Sequence, residues 1–281
     1  FDDRVTGDLN TYAKQAKVIH IEIDPAEIDK NVPADVGINA DAKQALQALL
    51  GEVTSNSHDE WISEFHECDK IEQEKICEKE IHPTEGGLKM AEIIHLISEK
   101  TEGKAVVVTD VGQHQMATSR YYQFKDKRQN VTSGGLGTMG FALPAAMGAR
   151  LGRTDQPVIA IIGDGGFQMT IQELGTIFQS KIPVKIVILN NNFLGMVRQW
   201  QQLFFESRYS FTEMVNPDFV AVTKGFGIEA FKVSERENLE EAIDKWLSFD
   251  GPILLEAIVE KEENVFPMIP TGASVSDIRL E

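Results

Sequence analysis

Short apolar runs alternate along this chain with segments whose apolar residues recur at helical spacing. The runs predict strands at residues 17–23, 105–109, 158–162, 184–189, 229–233 and 252–259. Helical spacing predicts helices at residues 41–50, 61–79, 86–100, 141–151, 170–179, 195–205, 217–224 and 239–249. Alternation of β-branched strands with helices from residue 84 onward predicts an α/β fold, with a parallel sheet covered by helices on both faces.

The same pattern divides the chain into four regions. Residues 1–50 hold one predicted strand and helices, with a helix capped by Asp41 and closed by Gly51, too little for a core of its own. We interpret them as the end of a preceding α/β domain. Residues 51–83 predict an acidic linker with one helix, residues 84–260 the main domain, and residues 261–281 a carboxy-terminal tail.

Composition narrows the class of protein. The 281 residues are 42% hydrophobic, which predicts a soluble globular chain with a full core. Lys and Arg number 27 against 44 Asp and Glu, a net charge of −17 that disfavours nucleic-acid binding, which needs basic patches. Much of the acid lies in residues 59–85, where a solvated helix face is the simplest interpretation.

Cysteine spacing and apolar run length predict the compartment. Cys68 and Cys77 fit neither a redox pair nor a zinc site, which favours a reduced, cytoplasmic protein. The apolar runs are too short to cross a membrane, so no membrane association is expected. The first residues show neither an initiator Met nor a secretory pattern, and we expect the chain to be the carboxy-terminal part of a longer enzyme.

Polar or glycine-rich segments follow three predicted strands, at residues 110–115, 163–166 and 190–195. The carboxyl ends of parallel strands are where α/β sheets bind ligands. Asp164 and the asparagines at 190–192 offer the oxygen ligands that Mg²⁺ prefers, and the glycines let backbone N–H groups approach a phosphate. A Gly-Asp-Gly turn alone is common, but its placement 24 residues before Asn190 predicts a metal–diphosphate clamp.

This pairing resembles the motif of the thiamine-diphosphate-dependent enzymes, GDG followed by NN. The resemblance implies that Asp164, the Asn191 side chain and the Phe193 backbone carbonyl bind Mg²⁺, which also holds the diphosphate. It further implies the thiamine-diphosphate-binding fold, with a parallel sheet of the six-stranded type.

Two more segments resemble the acetolactate synthase family within these enzymes. Residues 112–116, GQHQM, are similar to a loop that contacts the diphosphate. A histidine at the end of a strand is more often a structural hydrogen-bonding residue than a catalyst, and the resemblance favours a ligand contact for His114. Residues 133–140, SGGLGTMG, are similar to a loop whose backbone around Gly137 and Met139 holds the aminopyrimidine ring. The implied cofactor-binding residues are Gly112, Gln113, His114, Gly137, Met139, Gly163, Asp164, Gly165, Gly166, Asn191, Gly195 and Met196.

The run at residues 194–210, LGMVRQWQQLFFESRYS, is the most discriminating stretch. Met196, Val197 and Trp200 share one side of a helix, a spacing that an ordinary core stripe also has. The run resembles that of the FAD-dependent acetolactate synthases, which implies that these three residues line the substrate pocket and that Trp200 favours a larger second keto acid.

The resemblance implies a carboligase of branched-chain amino-acid biosynthesis. It joins the two-carbon unit left when pyruvate loses carbon dioxide to a second 2-keto acid, giving 2-acetolactate from pyruvate or 2-aceto-2-hydroxybutyrate from 2-oxobutyrate. Thiamine diphosphate and Mg²⁺ are the implied cofactors, with FAD in the full-length enzyme. A homodimer or dimer of dimers is implied, and a small regulatory subunit is a further candidate partner.

No residue of this chain matches the glutamate that activates the cofactor, which the family supplies from an amino-terminal domain. We therefore assign no catalytic residue here and expect the chain alone to be inactive.

Two alternative functions remain. One is another thiamine-diphosphate enzyme, such as glyoxylate carboligase or a catabolic acetolactate synthase, which the 194–210 run disfavours. The other is a non-catalytic module for a Mg-diphosphate ligand, disfavoured because GxxxxGK[ST] and GxGxxG motifs are lacking.

Overall fold

A computed structural model describes residues 1–280 of the chain, with backbone alone at residues 3 and 4. It has two compact units, one of residues 1–76 together with the residues from Phe266 onward, and one of Cys77–Val265. The domain boundaries predicted at residues 50, 83 and 260 stay predictions.

The smaller unit contains a two-stranded parallel sheet, formed by β1 (Ile19–Glu22) and β2 (Val36–Asn39). Its helices are α1 (Asp3–Thr6), α2 (Ala42–Glu52) and α3 (Asp59–Glu72). The Asp41 carboxylate caps α2 by accepting from the N–H groups of Lys43 and Gln44, as predicted. Gly51 does not close this helix, which runs on to Glu52, because Gly51 keeps helical geometry and Val53 is the capping residue.

The larger unit is built on a six-stranded sheet in which every neighbouring pair is parallel, so the predicted fold class is confirmed. Its strands are β3 (Val106–Thr109), β4 (Asn130–Thr132), β5 (Val158–Gly163), β6 (Lys185–Asn190), β7 (Glu229–Val233) and β8 (Ile253–Ile258). The strand order is β4-β3-β5-β6-β8-β7. The central strands β5 and β6 are buried along their whole length, which explains their continuous apolar sequences.

Helices cover both faces of this sheet. They are α4 (Glu78–Ile81), α5 (Met90–Lys100), α6 (Gln113–Tyr121), α7 (Ala142–Gly152), α8 (Asp164–Met169), α9 (Glu173–Ser180), α10 (Gly195–Phe204), α11 (Phe219–Gly225) and α12 (Leu239–Ser248). One core holds Trp246 and residues of α5, α6 and α12, and the other holds Phe167 and residues of α7 and α9. Side chains of alternate strand residues enter opposite cores, so the sheet is rigid at its centre.

The structure differs from the predicted elements of the larger unit at helix α6, at strand β4 and at the start of helix α5. Residues 113–121 form a helix where a loop was expected, because their polar sequence shows no apolar period. Strand β4 is short and partly exposed, which hides it from hydrophobic patterning. Helix α5 begins at Met90 rather than residue 86, since Gly86 has φ +76° and its neighbour Gly87 contacts the Glu260 carboxylate.

Candidate cofactor site

The carboxyl ends of β3, β5 and β6 meet at one edge of the sheet, where they form an open cleft. Its lining is Met90, Val111, Gly112, Gln113, His114, Met139, Gly163, Asp164, Gly165, Gly166, Leu189, Asn191, Phe193, Leu194, Gly195, Met196 and Val197. Thus all three strand-end segments, chosen from the sequence, contribute to one cavity.

Two predicted site residues do not line this cleft. A Cβ added to Gly137 would lie 3.9 Å from Val111, which is itself in the lining, so this loop reaches the rim. Trp200 packs against Phe204 with ring centroids 4.8 Å apart, one helical turn beyond Met196. Their proposed roles therefore need contacts beyond the cleft wall.

The glycines after β5 allow close packing at the cleft floor. A Cβ added to Gly166 would overlap the Asp110 carboxylate, and one added to Gly165 would lie 2.8 Å from Leu194. Gly163 lies against the His114 ring, where an added Cβ would be 2.9 Å from Nδ1. Side chains at these positions would force Asp110, Leu194 or His114 to move, so the close packing observed here depends on glycine.

Asp164 is a nearly buried carboxylate, 2% exposed, at the start of α8. Burial raises its pKa to about 6, while hydrogen bonds from the Asn216 side chain and from backbone N–H groups oppose the rise. The Asn216 amide donates to Oδ2 at 2.7 Å. A buried carboxylate with few charged neighbours is costly when ionised, and a bound cation would offset that cost. Asp164 therefore fits the role of a metal ligand.

Asn191 and Phe193 add neutral oxygen atoms beside Asp164. Asn191 is 3% exposed, and its Oδ1 accepts from the Phe193 N–H at 3.1 Å. Its Nδ2 lies 3.5 Å from Gln113 Oε1. Within residues 1–280, no three His, Cys, Asp or Glu side chains form a metal-binding group. One carboxylate with amide and carbonyl oxygens suits Mg²⁺ or Ca²⁺ better than zinc.

His114 contributes an uncharged imidazole to the cleft. It is 5% exposed, and burial lowers its pKa to about 4. Its Nε2 has no hydrogen-bond partner within residues 1–280. A buried polar atom without a partner is costly unless a ligand or water satisfies it. His114 therefore has a ring nitrogen available for a ligand contact, and its role stays a prediction.

Helix α10 is tied to the segment at residues 263–265. The Arg198 guanidinium is fully buried and donates to the Glu263 carbonyl at 2.6 Å and to Asn264 Oδ1 at 2.8 Å. Gln199 exchanges hydrogen bonds with the backbone of Val265. These contacts hold the helix that carries Met196 and Val197 into the cleft.

Sequence patterns did not identify every residue around the clamp. Asn216 donates to Asp164, and Met90, Val111, Leu189 and Leu194 complete the cleft wall. Asn216 precedes a proline in a loop, which in sequence indicates only a turn. No local pattern connects it with Asp164, since their contact depends on the fold.

Comparison with known proteins agrees with this geometry. The family model described as thiamine pyrophosphate enzyme, C-terminal TPP binding domain, matches residues 110–257. That described as thiamine pyrophosphate enzyme, central domain, matches residues 1–49. The chain belongs to the thiamine pyrophosphate enzyme family, and the matched binding domain supports thiamine diphosphate as its cofactor.

Three similar proteins from different organisms are all named acetolactate synthase. The chain is 43% identical to the acetolactate synthase isozyme 2 large subunit of Escherichia coli (strain K12), over 99% of this chain and 50% of that protein. It is 43% identical to the acetolactate synthase large subunit of Lactococcus lactis subsp. lactis (strain IL1403), over 97% and 47%. Acetolactate synthase 1, chloroplastic, of Oryza sativa subsp. japonica is 42% identical, over 100% and 45%. The chain thus spans about half the length of these relatives.

The relatives include chloroplast proteins, so the predicted cytoplasmic location stays a prediction. In residues 1–280, no helix has the length and apolar character needed to span a bilayer.

Proposed function

We propose that the protein containing this chain is an acetolactate synthase: it decarboxylates pyruvate and joins the two-carbon unit to pyruvate or 2-oxobutyrate. The observation that carries the proposal is the cleft at the ends of β3, β5 and β6, where Asp164, Asn191 and His114 face one cavity. The names of the relatives support the same activity. A role in branched-chain amino-acid biosynthesis belongs to this proposal.

In this proposal the chain's residues bind and orient the cofactor. Asp164, Asn191 and the Phe193 carbonyl hold Mg²⁺, and the glycines at 163, 165 and 166 let the diphosphate approach the backbone. Thiamine diphosphate, when bound, supplies the electron sink that decarboxylation needs. His114 is neutral near pH 7, because burial lowers its pKa to about 4, and offers Nε2 to the ligand.

Substrate selection is proposed for the exposed side of α10. Met196 and Val197 line the cleft, and Val197 is 49% exposed. Trp200, about one helical turn after Met196, is proposed to contact the second keto acid. FAD, a homodimer or dimer of dimers, and a small regulatory subunit belong to the same proposal for the full-length enzyme.

Isothermal titration of thiamine diphosphate, with and without Mg²⁺, tests the metal clamp. We expect Mg²⁺-dependent binding by the native protein in its full natural length and loss of that dependence in Asp164→Ala, because the only carboxylate in the cleft lining is removed. Asp155→Ala, at an exposed carboxylate paired with Arg153, is the control and should bind as the native protein does.

Native protein that binds thiamine diphosphate equally well without a divalent cation would contradict the clamp. Binding of ATP or NAD in competition with thiamine diphosphate would instead favour a general diphosphate-binding module. Formation of acetolactate from pyruvate by the same full-length preparation tests the carboligase activity separately.

A further inference from the structure

A second buried carboxylate, on strand β8, is connected to Asp164 by side-chain hydrogen bonds. Glu256, on β8, is 1% exposed. Its Oε1 accepts from Asn190 Nδ2 at 2.8 Å. Lys232 Nζ lies 3.1 Å from Oε2, close enough to offset the charge although outside hydrogen-bonding geometry. Burying a carboxylate here costs free energy that an apolar strand residue would avoid. This cost indicates that Glu256 has a specific role.

Glu256 helps to fix which way the Asn190 amide points. A carboxylate without its proton only accepts hydrogen bonds, so the NH₂ end of Asn190 must face Glu256. The Oδ1 end then lies on the opposite side, where it accepts from the Asn192 N–H at 3.0 Å and from Asn216 Nδ2, also at 3.0 Å. An amide alone could adopt either orientation; Glu256 as an acceptor on one side and the Asn192 N–H as a donor on the other favour the same one.

Asn216 passes this orientation on to Asp164. Its Nδ2 donates to Asp164 Oδ2 at 2.7 Å and lies 3.1 Å from Asn192 Oδ1, while its own Oδ1 accepts from Gln168 Nε2 at 2.8 Å. Asn216 Nδ2 thus faces three acceptor oxygens, and Asn216 Oδ1 faces the donor Nε2 of Gln168. Asn190 therefore donates to Glu256, and Asn216 Nδ2 donates to both Asn190 and Asp164, so Asn216 joins the two carboxylates through a single amide nitrogen.

We propose that Glu256 is a positioning residue of the metal clamp, which holds the Asp164 carboxylate in place through Asn190 and Asn216. The inference rests on the proposed function, because it assigns these residues to the Mg²⁺ site. Asn216 donates to Oδ2 of Asp164, and this contact would help to hold the carboxylate in place for a cation. Reversal of the Asn190 amide would present NH₂ to Asn216 and break the contact that orients Asp164.

The test uses the protein in its full natural length and makes two measurements on each variant. One is the Mg²⁺ concentration that gives half-saturation in the presence of saturating thiamine diphosphate. The other is the thermal midpoint of the metal-free protein. Glu256→Met removes the acceptor at similar volume, and we expect half-saturation to rise roughly tenfold or more, as for other residues that orient metal ligands. Glu256→Gln keeps an acceptor oxygen and should bind Mg²⁺ within about threefold of the native protein. This rescue distinguishes amide orientation from the loss of charge.

Glu92→Met is the matched control. Glu92 is also buried and pairs with Arg236 Nε at 2.6 Å, but it lies on α5 and has no contact with the amide chain. We expect it to lower the thermal midpoint and leave Mg²⁺ half-saturation unchanged. Asn216→Ala, in a partly exposed loop, provides a second variant that breaks the same chain and should weaken Mg²⁺ binding even if Glu256→Met fails to fold.

Native Mg²⁺ affinity in both Glu256→Met and Asn216→Ala would overturn the inference while leaving the clamp intact. Native affinity in Asn216→Ala alone would also overturn it, because Asn216 is the link to Asp164. The absence of Mg²⁺ dependence in the native protein, or its survival in Asp164→Ala, would instead refute the proposed function.

Discussion

His114 and Asp164 line the same cleft, and burial moves their pKa values in opposite directions. The pKa of His114 falls to about 4 and that of Asp164 rises to about 6, because a low-dielectric site disfavours the charged form of each. In the proposed function, ligand binding would supply the missing partners: a cation for the carboxylate and a hydrogen bond for the imidazole. The free site is therefore costly to maintain, which is common where residues are placed for binding.

The depressed pKa of His114 predicts a loss of stability in mild acid. Its pKa is about 4 in the folded protein and 6.5 as a model value, so the unfolded chain takes up more protons between these limits. Stability therefore falls as pH decreases from 6.5 towards 4, by on the order of 2 kcal/mol between pH 7 and pH 5 from this residue. Denaturant unfolding of the metal-free protein at a series of pH values measures it.

His114→Asn removes the titrating group and should abolish its contribution in this window, leaving the opposite contribution of Asp164, whose pKa of about 6 makes the folded state more stable as pH falls. Equal slopes for the native protein and the variant would show that His114 is accessible to protons in the folded state. The fully protonated limit below pH 4 is the internal reference, since the His114 contribution no longer changes there.

At the scale of the elements, the turn from β5 into α8 depends on the absence of side chains. Gly166→Ala would place a Cβ on the Asp110 carboxylate, whose Oδ1 accepts from the Ala142 N–H at the start of α7. Overpacking of this kind costs about 1–3 kcal/mol. We expect Gly166→Ala to lose that much unfolding free energy and to displace α7.

Gly148→Ala is the matched control, because Gly148 lies on an exposed turn of α7 with open space around its Cα. There alanine should stabilise the protein by about 0.5–1 kcal/mol, since glycine is the poorer helix former. Denaturant unfolding compares the two variants. Equal effects at both positions would show that the Asp110 side chain moves aside without cost.

Burial explains which elements the sequence could predict. Strands β5 and β6 are enclosed by helices on both faces, so their residues had to be apolar and the pattern was visible. Strand β4 lies at the sheet edge and starts with Asn130, and α6 carries polar residues because its first turn lines the cleft. An element that serves a binding site loses the apolar period by which elements are recognised.

The residues of the site also divide into those that the sequence could predict and those that it could not. Asp164 and Asn191 could be predicted because each directly follows a strand of a parallel sheet, and the ends of adjacent parallel strands meet at one edge. Glu256 and Asn216 could not be predicted. Glu256 lies inside a strand that otherwise reads as apolar, and Asn216 reaches Asp164 across 52 residues of chain.

At the scale of the whole molecule, the dominant property is the charge of −17. Repulsion among carboxylates opposes the compact state and is screened by salt, with a Debye length of about 8 Å at physiological ionic strength. The exposed acidic helix α3, which has no buried residue, contributes to this repulsion. We therefore expect NaCl to stabilise the protein even without a ligand.

This expectation bears on any measurement of Mg²⁺, since a divalent cation both screens charge and binds the proposed clamp. Raising NaCl from low to physiological ionic strength should raise the thermal midpoint by about 2–4 °C in the native protein and in Asp164→Ala, because screening needs no site. MgCl₂ at matched ionic strength with thiamine diphosphate should add stabilisation in the native protein alone, by mass action on the folded state. Equal gains from MgCl₂ in both proteins would mean that Mg²⁺ acts only by screening, whereas a gain confined to the native protein would place its action at Asp164.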